Sequence, residues 1–240
     1  YKLDFFFSVI ALLVRQAMTF IILLFIYRLV DRIKGWNLEQ LIFLYAFTTT
    51  AIGLWHCFFI NSISLPYYII KGDFDRFLLR PMNIIFQVLV DSFDEDGWGE
   101  LLFGFVLLLL SIIRLNIIDA NLLFLPILII SSSLIFASIA LLLSALSFIS
   151  LSNINISNII IELFEFSKYP LNIYSNSLKI FFSIALPIGF ASYYPSVYFM
   201  TGYTDGGVYL LLSPIVSILF FLMSSWVWLK MAEKYSSSGS

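Results

Sequence analysis

Long apolar runs separated by short polar stretches are the feature that most limits what this chain can fold into. The 240 residues are 61% hydrophobic and only 12% charged, and the mean hydropathy is +0.98. A soluble domain is about half apolar, whereas ~18 or more consecutive apolar residues can cross a bilayer as a helix. The pattern predicts an all-α polytopic membrane protein, and it lacks the alternation of a membrane β-barrel.

Six transmembrane helices are predicted, with approximate bounds 5–27, 38–60, 99–115, 122–148, 178–200 and 208–229. The stretch 154–168 is also apolar, but it contains Glu162 and Glu165. Each of these acids would cost about 2.5 to 3.5 kcal/mol near the bilayer centre. We therefore expect 154–168 to form either an interfacial helix or an extension of the fourth span, and Pro170 to end it.

The Lys and Arg residues indicate an orientation, because cytoplasmic loops of membrane proteins are enriched in both. With six spans, the side that holds both termini carries eight of them: Lys2, Lys71, Arg76, Arg80, Lys168, Lys179, Lys230 and Lys234. The other side carries four: Arg28, Arg32, Lys34 and Arg114. This difference predicts that both termini lie in the cytoplasm. The chain starts at Tyr1 rather than Met, so we expect some native sequence to precede it.

The stretch 71–83, KGDFDRFLLRPMN, concentrates charge in an apolar chain. In hydrocarbon its charges would cost more than ~10 kcal/mol, so we expect it in the cytoplasmic loop between the second and third spans. Asp73 can cap a short helix, DFDRFLLR, which the following proline would stop. Phe74, Phe77 and Leu78 would share one face of it. The residues alone leave two interpretations: a solvated connecting loop, or an amphipathic helix parallel to the membrane that docks a partner.

Three further stretches accompany GDFDRFLLRPMN at 72–83. They are Gly35-Trp36, the stretch YPLNIY at 169–174 that leads to Leu186-Pro187 and Tyr194-Pro195-Ser196, and KYSSSG at 234–239. In these features the chain resembles the permease subunits of type-2 ABC exporters, over nearly its whole length. The resemblance is to the six-span branch with the signature G-x-h-D-x-h-L-h-R-P-h-N, where h is apolar.

The resemblance implies a single transmembrane permease domain over 1–240, with the family's N-terminal elbow helix missing from this sequence. Two permease subunits, identical or divergent, would form the membrane core. Each would dock on one cytoplasmic subunit of an ABC ATPase dimer through a coupling helix between spans two and three. The residues that match this coupling helix are Gly72, Asp73, Phe74, Asp75, Arg76, Leu79, Arg80 and Pro81.

The region before the sixth span is divided by Pro187 and Pro195. Proline in a membrane helix permits a kink or a break. The resemblance implies an external re-entrant segment that caps the pathway, with Pro187, Tyr194 and Pro195 as candidate gating residues. An aromatic belt at the membrane interface is the alternative interpretation of the tyrosines here.

Three other polar features are candidates for function. Arg15, near the middle of the first span, is a possible intramembrane polar site, because charge inside a membrane is costly and often functional. Snorkelling or bonding to backbone carbonyls are its structural alternatives. The acids of 91–100 do not fit a calcium-binding EF-hand loop and are expected to favour the N-terminal end of the third span, with ATPase contact and cation binding as the alternatives. His56 and Cys57, the only His and Cys, are expected to pack.

No catalytic, cofactor or metal site is predicted in this chain. The phosphate-binding pattern G-x-x-x-x-G-K-[ST] does not occur in the sequence, so ATP and Mg²⁺ are expected in a partner ATPase. The predicted function is the permease subunit of an ABC exporter, multi-pass in a bacterial plasma membrane, with the lipid bilayer and no nucleic acid as a partner. The alternative is another class of membrane protein, such as a secondary transporter or an intramembrane enzyme.

Overall fold

The computed structural model describes residues 2–29, 32–92, 94, 97–117, 120–149, 155–201 and 203–235. Over these residues the fold is helical, and the β-structure consists of one isolated bridge between Ile33 and Trp36. The α-helices are α1 Lys2–Arg28, α2 Leu38–Phe59, α3 Leu65–Lys71, α4 Asp75–Leu78, α5 Ile84–Leu89, α6 Gly97–Leu115, α7 Leu125–Ser144, α8 Asn155–Glu165, α9 Asn176–Ile180, α10 Ile188–Ala191, α11 Tyr193–Thr201 and α12 Tyr203–Ala232. Short 3₁₀ segments cover Ile60–Ile63, Ala120–Phe124, Ala145–Phe148, Phe166–Lys168 and Leu171–Ile173.

Five helical stretches of the described residues are long and apolar enough to cross a membrane. They are Phe7–Arg28, Leu38–Lys71, Gly97–Leu115, Asn121–Phe148 and Gly207–Ala232. These stretches coincide with the predicted spans one, two, three, four and six. The fifth predicted span, 178–200, is not one continuous helix, because the helical structure is interrupted at Leu186-Pro187 and again at Ser192. The prediction of a single spanning helix there is wrong.

The closest packing in the bundle is between α2 and α6. A Cβ atom added at Gly53 would lie 2.5 Å from the backbone of Leu101, and one at Gly104 would lie 2.5 Å from the backbone of Thr50. Two further glycines of α6 make similar approaches, Gly97 to α2 and Gly99 to α1. Helices in a bilayer gain little from hydrophobic burial, and small residues let their backbones approach closely. The glycines therefore set the positions of α1, α2 and α6.

The segment 155–172 runs antiparallel to α2 along nearly all of its length. Four contacts establish this direction: Ser157 Oγ donates to the Ile63 carbonyl (2.8 Å), the Phe164 ring meets the Trp55 ring (4.9 Å), Thr48 Oγ1 donates to the Ser167 carbonyl (3.3 Å), and Asn172 Nδ2 donates to the Lys34 carbonyl (3.0 Å). Helix α8 also buries Ile156, Ile160 and Phe164 in the main core. Helix α8 therefore packs lengthwise against a stretch that is long and apolar enough to cross a membrane, and residue 154 lies outside the described residues.

Residues 176–201 form a hairpin. Helix α9 continues as a π-helical segment, Phe181–Ala185, in which the Leu186 amide donates to the carbonyl of Phe181, five residues earlier. The chain turns at the buried Pro187, and α10 and α11 return. Ser183 before the turn lies within hydrogen-bond distance of Tyr194 after it, with 2.9 Å between the hydroxyl oxygens. The proline break expected in this region is therefore a reversal of chain direction.

We expect Gly104→Leu to destabilise the protein, because its side chain would overlap the α2 backbone. Overpacking of this kind costs about 1 to 3 kcal/mol or more, so the melting temperature in detergent should fall by about 5 °C or more. Val106→Leu is the matched control, because Val106 is 55% exposed on the same helix. Equal melting temperatures for the two variants would contradict the assigned contact.

Candidate functional site

The turn that begins the 71–83 segment requires a glycine. Helix α3 ends at Lys71, and Gly72 follows with φ +74°. This left-handed conformation is strained for residues with a Cβ atom and common for glycine after a helix. The Gly72 amide donates to the Ile69 carbonyl (3.2 Å), and the Phe74 amide donates to the Tyr68 carbonyl (3.1 Å). The chain therefore folds back onto α3 directly after the turn.

Helix α4 is a single turn, shorter than the sequence predicts. It begins at Asp75, its N-cap position is Phe74, and no side chain caps it. The prediction that Asp73 caps the helix is therefore wrong. Phe74 and Phe77 are fully buried, but Leu78 is 46% exposed. The prediction that Leu78 shares the buried face is also wrong, because the helix presents only two of these side chains to the core.

Phe74 anchors the segment to the ends of two long helices. Its ring centroid lies 5.2 Å from that of Phe148, 6.0 Å from that of Trp228 and 4.9 Å from that of Tyr235. Phe148 ends the 3₁₀ extension of α7, and Trp228 lies in the last turns of α12. The segment therefore packs against the helix bundle, whereas a solvated connecting loop would make no such contacts.

Two charged residues of the segment have partners within the chain. Asp75 hydrogen-bonds to the Tyr235 hydroxyl, and burial together with this bond raises the pKa of Tyr235 above its ordinary value. Arg76 forms an ion pair with Asp91, and its guanidinium lies 4.7 Å from the centroid of the Phe77 ring. Such charge-assisted and cation–π contacts favour one position of the side chain. Asp75 and Arg76 therefore hold the segment in place.

Gln87 closes the loop that follows α4. Its side chain is 4% exposed, and its Nε2 donates to the carbonyls of Phe77 (3.1 Å) and Met82 (3.0 Å). Asn83, the last residue of the motif, caps α5 by accepting from the Phe86 amide (3.1 Å). The sequence contains a signal for this cap, an Asn directly before an apolar helical run. No signal in the sequence indicates the role of Gln87.

The face of the segment opposite the buried Phe74 and Phe77 is exposed. Leu79 is 85% exposed, Met82 is 53% exposed, and Arg80 and Pro81 are exposed between them. Together with the half-exposed Leu78, residues 78–82 form what we call the tip surface. It combines apolar side chains with a guanidinium. Large exposed apolar side chains next to charges are typical of protein interfaces.

A buried polar layer joins α1, α2 and α6 near the same end of the bundle. Gln16 Nε2 donates to Glu100 Oε1 (2.6 Å), and Glu100 Oε2 lies 3.5 Å from His56 Nδ1. The other ring nitrogen of His56 lies 3.3 Å from Asp94 Oδ2. Gln16 and Glu100 are only 3% and 4% exposed. A buried carboxylate is costly unless paired, so these contacts favour one arrangement of the three helices.

The polar layer was only partly predicted. Glu100 lies in the first turn of α6, as expected for an acid of the 91–100 stretch. His56 was expected only to pack, and that prediction is wrong, because its ring contacts two carboxylates. The signal available in the sequence was a polar residue in each of three apolar spans, namely Gln16, His56 and Glu100. Residues 93, 95 and 96 of the stretch lie outside the described residues.

Asn61 connects the 71–83 segment to the polar layer. Its Nδ2 donates to the carbonyls of Leu89 (3.1 Å) and Ser92 (2.6 Å), and its Oδ1 accepts from Ser92 Oγ (2.7 Å). Asp91, the partner of Arg76, lies between these two residues, and Asp94 follows them. Asn61 therefore holds the stretch from Leu89 to Ser92 against the end of α2, close in the chain to the partners of Arg76 and His56.

The remaining candidate residues lie elsewhere. Arg15 is exposed on α1, next to the buried Gln16. Pro187 and Pro195 are buried in the 176–201 hairpin. Tyr194 joins its two arms through Ser183 and stacks on Tyr209 of α12, with 4.6 Å between ring centroids. The structure thus brings the three hairpin candidates into one unit, far along the chain from the 71–83 segment.

Comparison with known families identifies the class of this protein. A family model described as ABC-2 family transporter protein matches residues 13–239. The chain belongs to this family, which confirms the resemblance to type-2 ABC permease subunits. No curated protein and no solved structure matches the chain.

We expect Glu100→Ala to lower the free energy of unfolding by about 1 to 3 kcal/mol, because it leaves the Gln16 amide without its acceptor and the His56 ring with Asp94 alone. Glu100→Gln, which retains an acceptor oxygen, should cost less. Thermal unfolding in detergent measures both. Glu39→Ala is the control, because Glu39 is exposed in the first turn of α2. Equal melting temperatures for all three variants would show that the polar layer does not stabilise the fold.

Proposed function

We propose that this chain is the permease subunit of an ABC exporter and that residues 71–83 are its coupling segment to a separate ATPase dimer. The observation that supports this most directly is the two-sided character of the segment. Phe74 and Phe77 are fully buried, whereas Leu79 is 85% exposed. The segment is held firmly by the bundle and still presents an apolar tip surface. A segment held in this way can bind a partner on its exposed side and transmit the partner's movement to the helices on its buried side.

The proposed mechanism follows the contacts of the segment. ATP and Mg²⁺ bind to the partner ATPases, whose closure displaces the tip surface. Phe74 carries the displacement to the inner ends of α7 and α12. The ion pair of Arg76 with Asp91, and Asn61 beyond it, carry it to the polar layer. Because that layer joins α1, α2 and α6, these helices shift together, and the path between two permeases opens.

We further propose six membrane crossings, with the fifth formed by 155–174 rather than by 178–200. This segment lies antiparallel to α2 and ends beside Lys34, in the connection between α1 and α2. Its buried Lys168 forms an ion pair with Glu165 (2.6 Å between Nζ and Oε1), which reduces the cost of charge within a crossing. The 176–201 hairpin is then the external re-entrant segment. The termini and the coupling segment remain on one side.

This topology changes the distribution of Lys and Arg. Moving Lys168 into a crossing and Lys179 to the outer side leaves six on the side of the termini and gives five on the other. The bias predicted from the sequence thereby nearly disappears. In the proposal, the cytoplasmic placement of the termini depends instead on the coupling segment, which must face the compartment that contains ATP.

Cysteine labelling tests the fifth crossing. In a Cys57→Ser background, Asn155→Cys and Ser175→Cys should react with a membrane-impermeant maleimide from opposite sides of the membrane, since both positions are exposed at the two ends of the segment. Lys71→Cys and Lys34→Cys serve as references for the two sides. Labelling of both test positions from one side would show that 155–174 does not cross.

Charge and polarity changes on the tip surface test the coupling. We expect Leu79→Asp with Arg80→Glu to reduce co-purification with the ATPase, and transport-coupled ATP hydrolysis, by about tenfold or more, as for loss of interface anchors. The melting temperature of the permease alone should not change, because both side chains are exposed. Asp75 is left intact, because it holds Tyr235.

The matched control is Leu123→Asp with Arg32→Glu, which makes the same chemical changes at the opposite end of the bundle, at residues that are also exposed. It should leave ATPase association unchanged. Normal association of the tip-surface variant, or equal loss in both double variants, would contradict the assigned coupling segment.

A further inference from the structure

A cavity of about 300 Å³ lies between α1, α2 and α6, at the end of the bundle opposite the coupling segment. Apolar side chains from all three helices form most of its wall, among them Phe20, Ile42 and Leu107. Arg28 and Arg114 are the basic residues that line it. Its size is at the lower end of the range for small-molecule sites, ~300 to 1,000 Å³.

The two arginines lie at the same level of the bundle. Arg28 is in the last turn of α1, and Arg114 is in the last turn of α6. Both side chains are exposed, and no acid in the described part of the chain pairs with either. Attraction to the helix C-terminus or snorkelling explains one arginine at a helix end. These effects account for each arginine separately, and the position of both guanidiniums on the rim of one apolar cavity allows them to act together on one anion.

The cavity matches the chemical layout of a phospholipid. Guanidinium groups bind phosphate through paired N–H donors. Below the arginines the wall is apolar apart from Ser111, whose hydroxyl donates to the Leu108 carbonyl, and it extends to Phe20, which is eight residues before Arg28 and therefore about 12 Å deeper along α1. The flanking helix surfaces are apolar and exposed, with Phe25 at 67% and Ile113 at 65%. An anionic lipid requires positive charge at the membrane surface and an apolar wall below it, and the cavity provides both.

We propose that this cavity binds one anionic glycerophospholipid of the leaflet opposite the coupling segment. The phosphate lies between Arg28 and Arg114, and an acyl chain lies along the groove between α1 and α6. Basic pockets between transmembrane helices bind anionic head groups by the same physics. The site does not depend on the transport proposal, because its evidence is the cavity and its charges alone.

Native mass spectrometry of protein released from nanodiscs with equal phosphatidylglycerol and phosphatidylcholine tests the site. The wild-type chain should retain one phosphatidylglycerol with a preference of about thirtyfold, as two surface arginines would give. Arg28→Gln with Arg114→Gln should reduce the preference to near parity. Arg32→Gln with Lys34→Gln removes the same charge at the same end, outside the cavity, and should leave the preference intact.

A second pair of variants separates the cavity from surface charge. Leu110→Trp fills the groove and keeps both arginines, whereas Leu109→Trp alters an exposed residue of the same helix that does not line the cavity. Only Leu110→Trp should release the lipid. Three results would overturn the proposal: no lipid preference in the wild type, equal loss in both charge variants, or a Leu110→Trp effect on chain dimerisation instead of on bound lipid.

Discussion

The rest of the structure depends on the backbone contact between α2 and α6. Gly53 and Gly104 leave no room for a side chain at this contact, and in a bilayer such close packing replaces the hydrophobic driving force. It places His56 and Glu100 on facing helices within reach of each other. Gln16 of α1 completes the polar layer. The glycines thus determine the distances between α1, α2 and α6. The polar side chains then favour one arrangement of these three helices.

Hydropathy predicts most of this fold and fails at one place for a physical reason. Five of the predicted spans agree with helices of the structure, because a long apolar run has few other stable arrangements in a membrane chain. The error concerns 178–200, which is apolar enough to cross, yet hydropathy carries no information about chain direction, which reverses at Pro187. In the proposed topology the stretch 155–168 is a second case, because its acids weigh against a crossing while Glu165 forms an ion pair with Lys168.

In the candidate site, too, the features that depend on neighbouring residues were predictable from the sequence, whereas those that depend on distant residues were not. The motif at 72–83 predicts a short helix with an apolar face, and a short helix with Phe74 and Phe77 buried is present, because each feature depends on a few neighbouring residues. The length of α4 and the partner of Arg76 depend on distant residues. Asp91 and Gln87, which hold the segment, and Asn61, which continues its contacts, lie outside the motif. Only the folded chain shows that the motif residues are divided between those that hold the segment and those on the tip surface.

Helix α12 has a consequence for how the two ends of the molecule relate. Near its C-terminal end Trp228 contacts Phe74, and near its N-terminal end Tyr209 stacks on Tyr194. The two positions are 19 residues apart, or about 28 Å along a helix. One helix therefore links the 71–83 segment to the 176–201 hairpin, and Pro214, which lacks an amide to donate, lies within it. A displacement at one of these two contacts can pass to the other along α12 without crossing the rest of the bundle, and Pro214 is where the helix can bend.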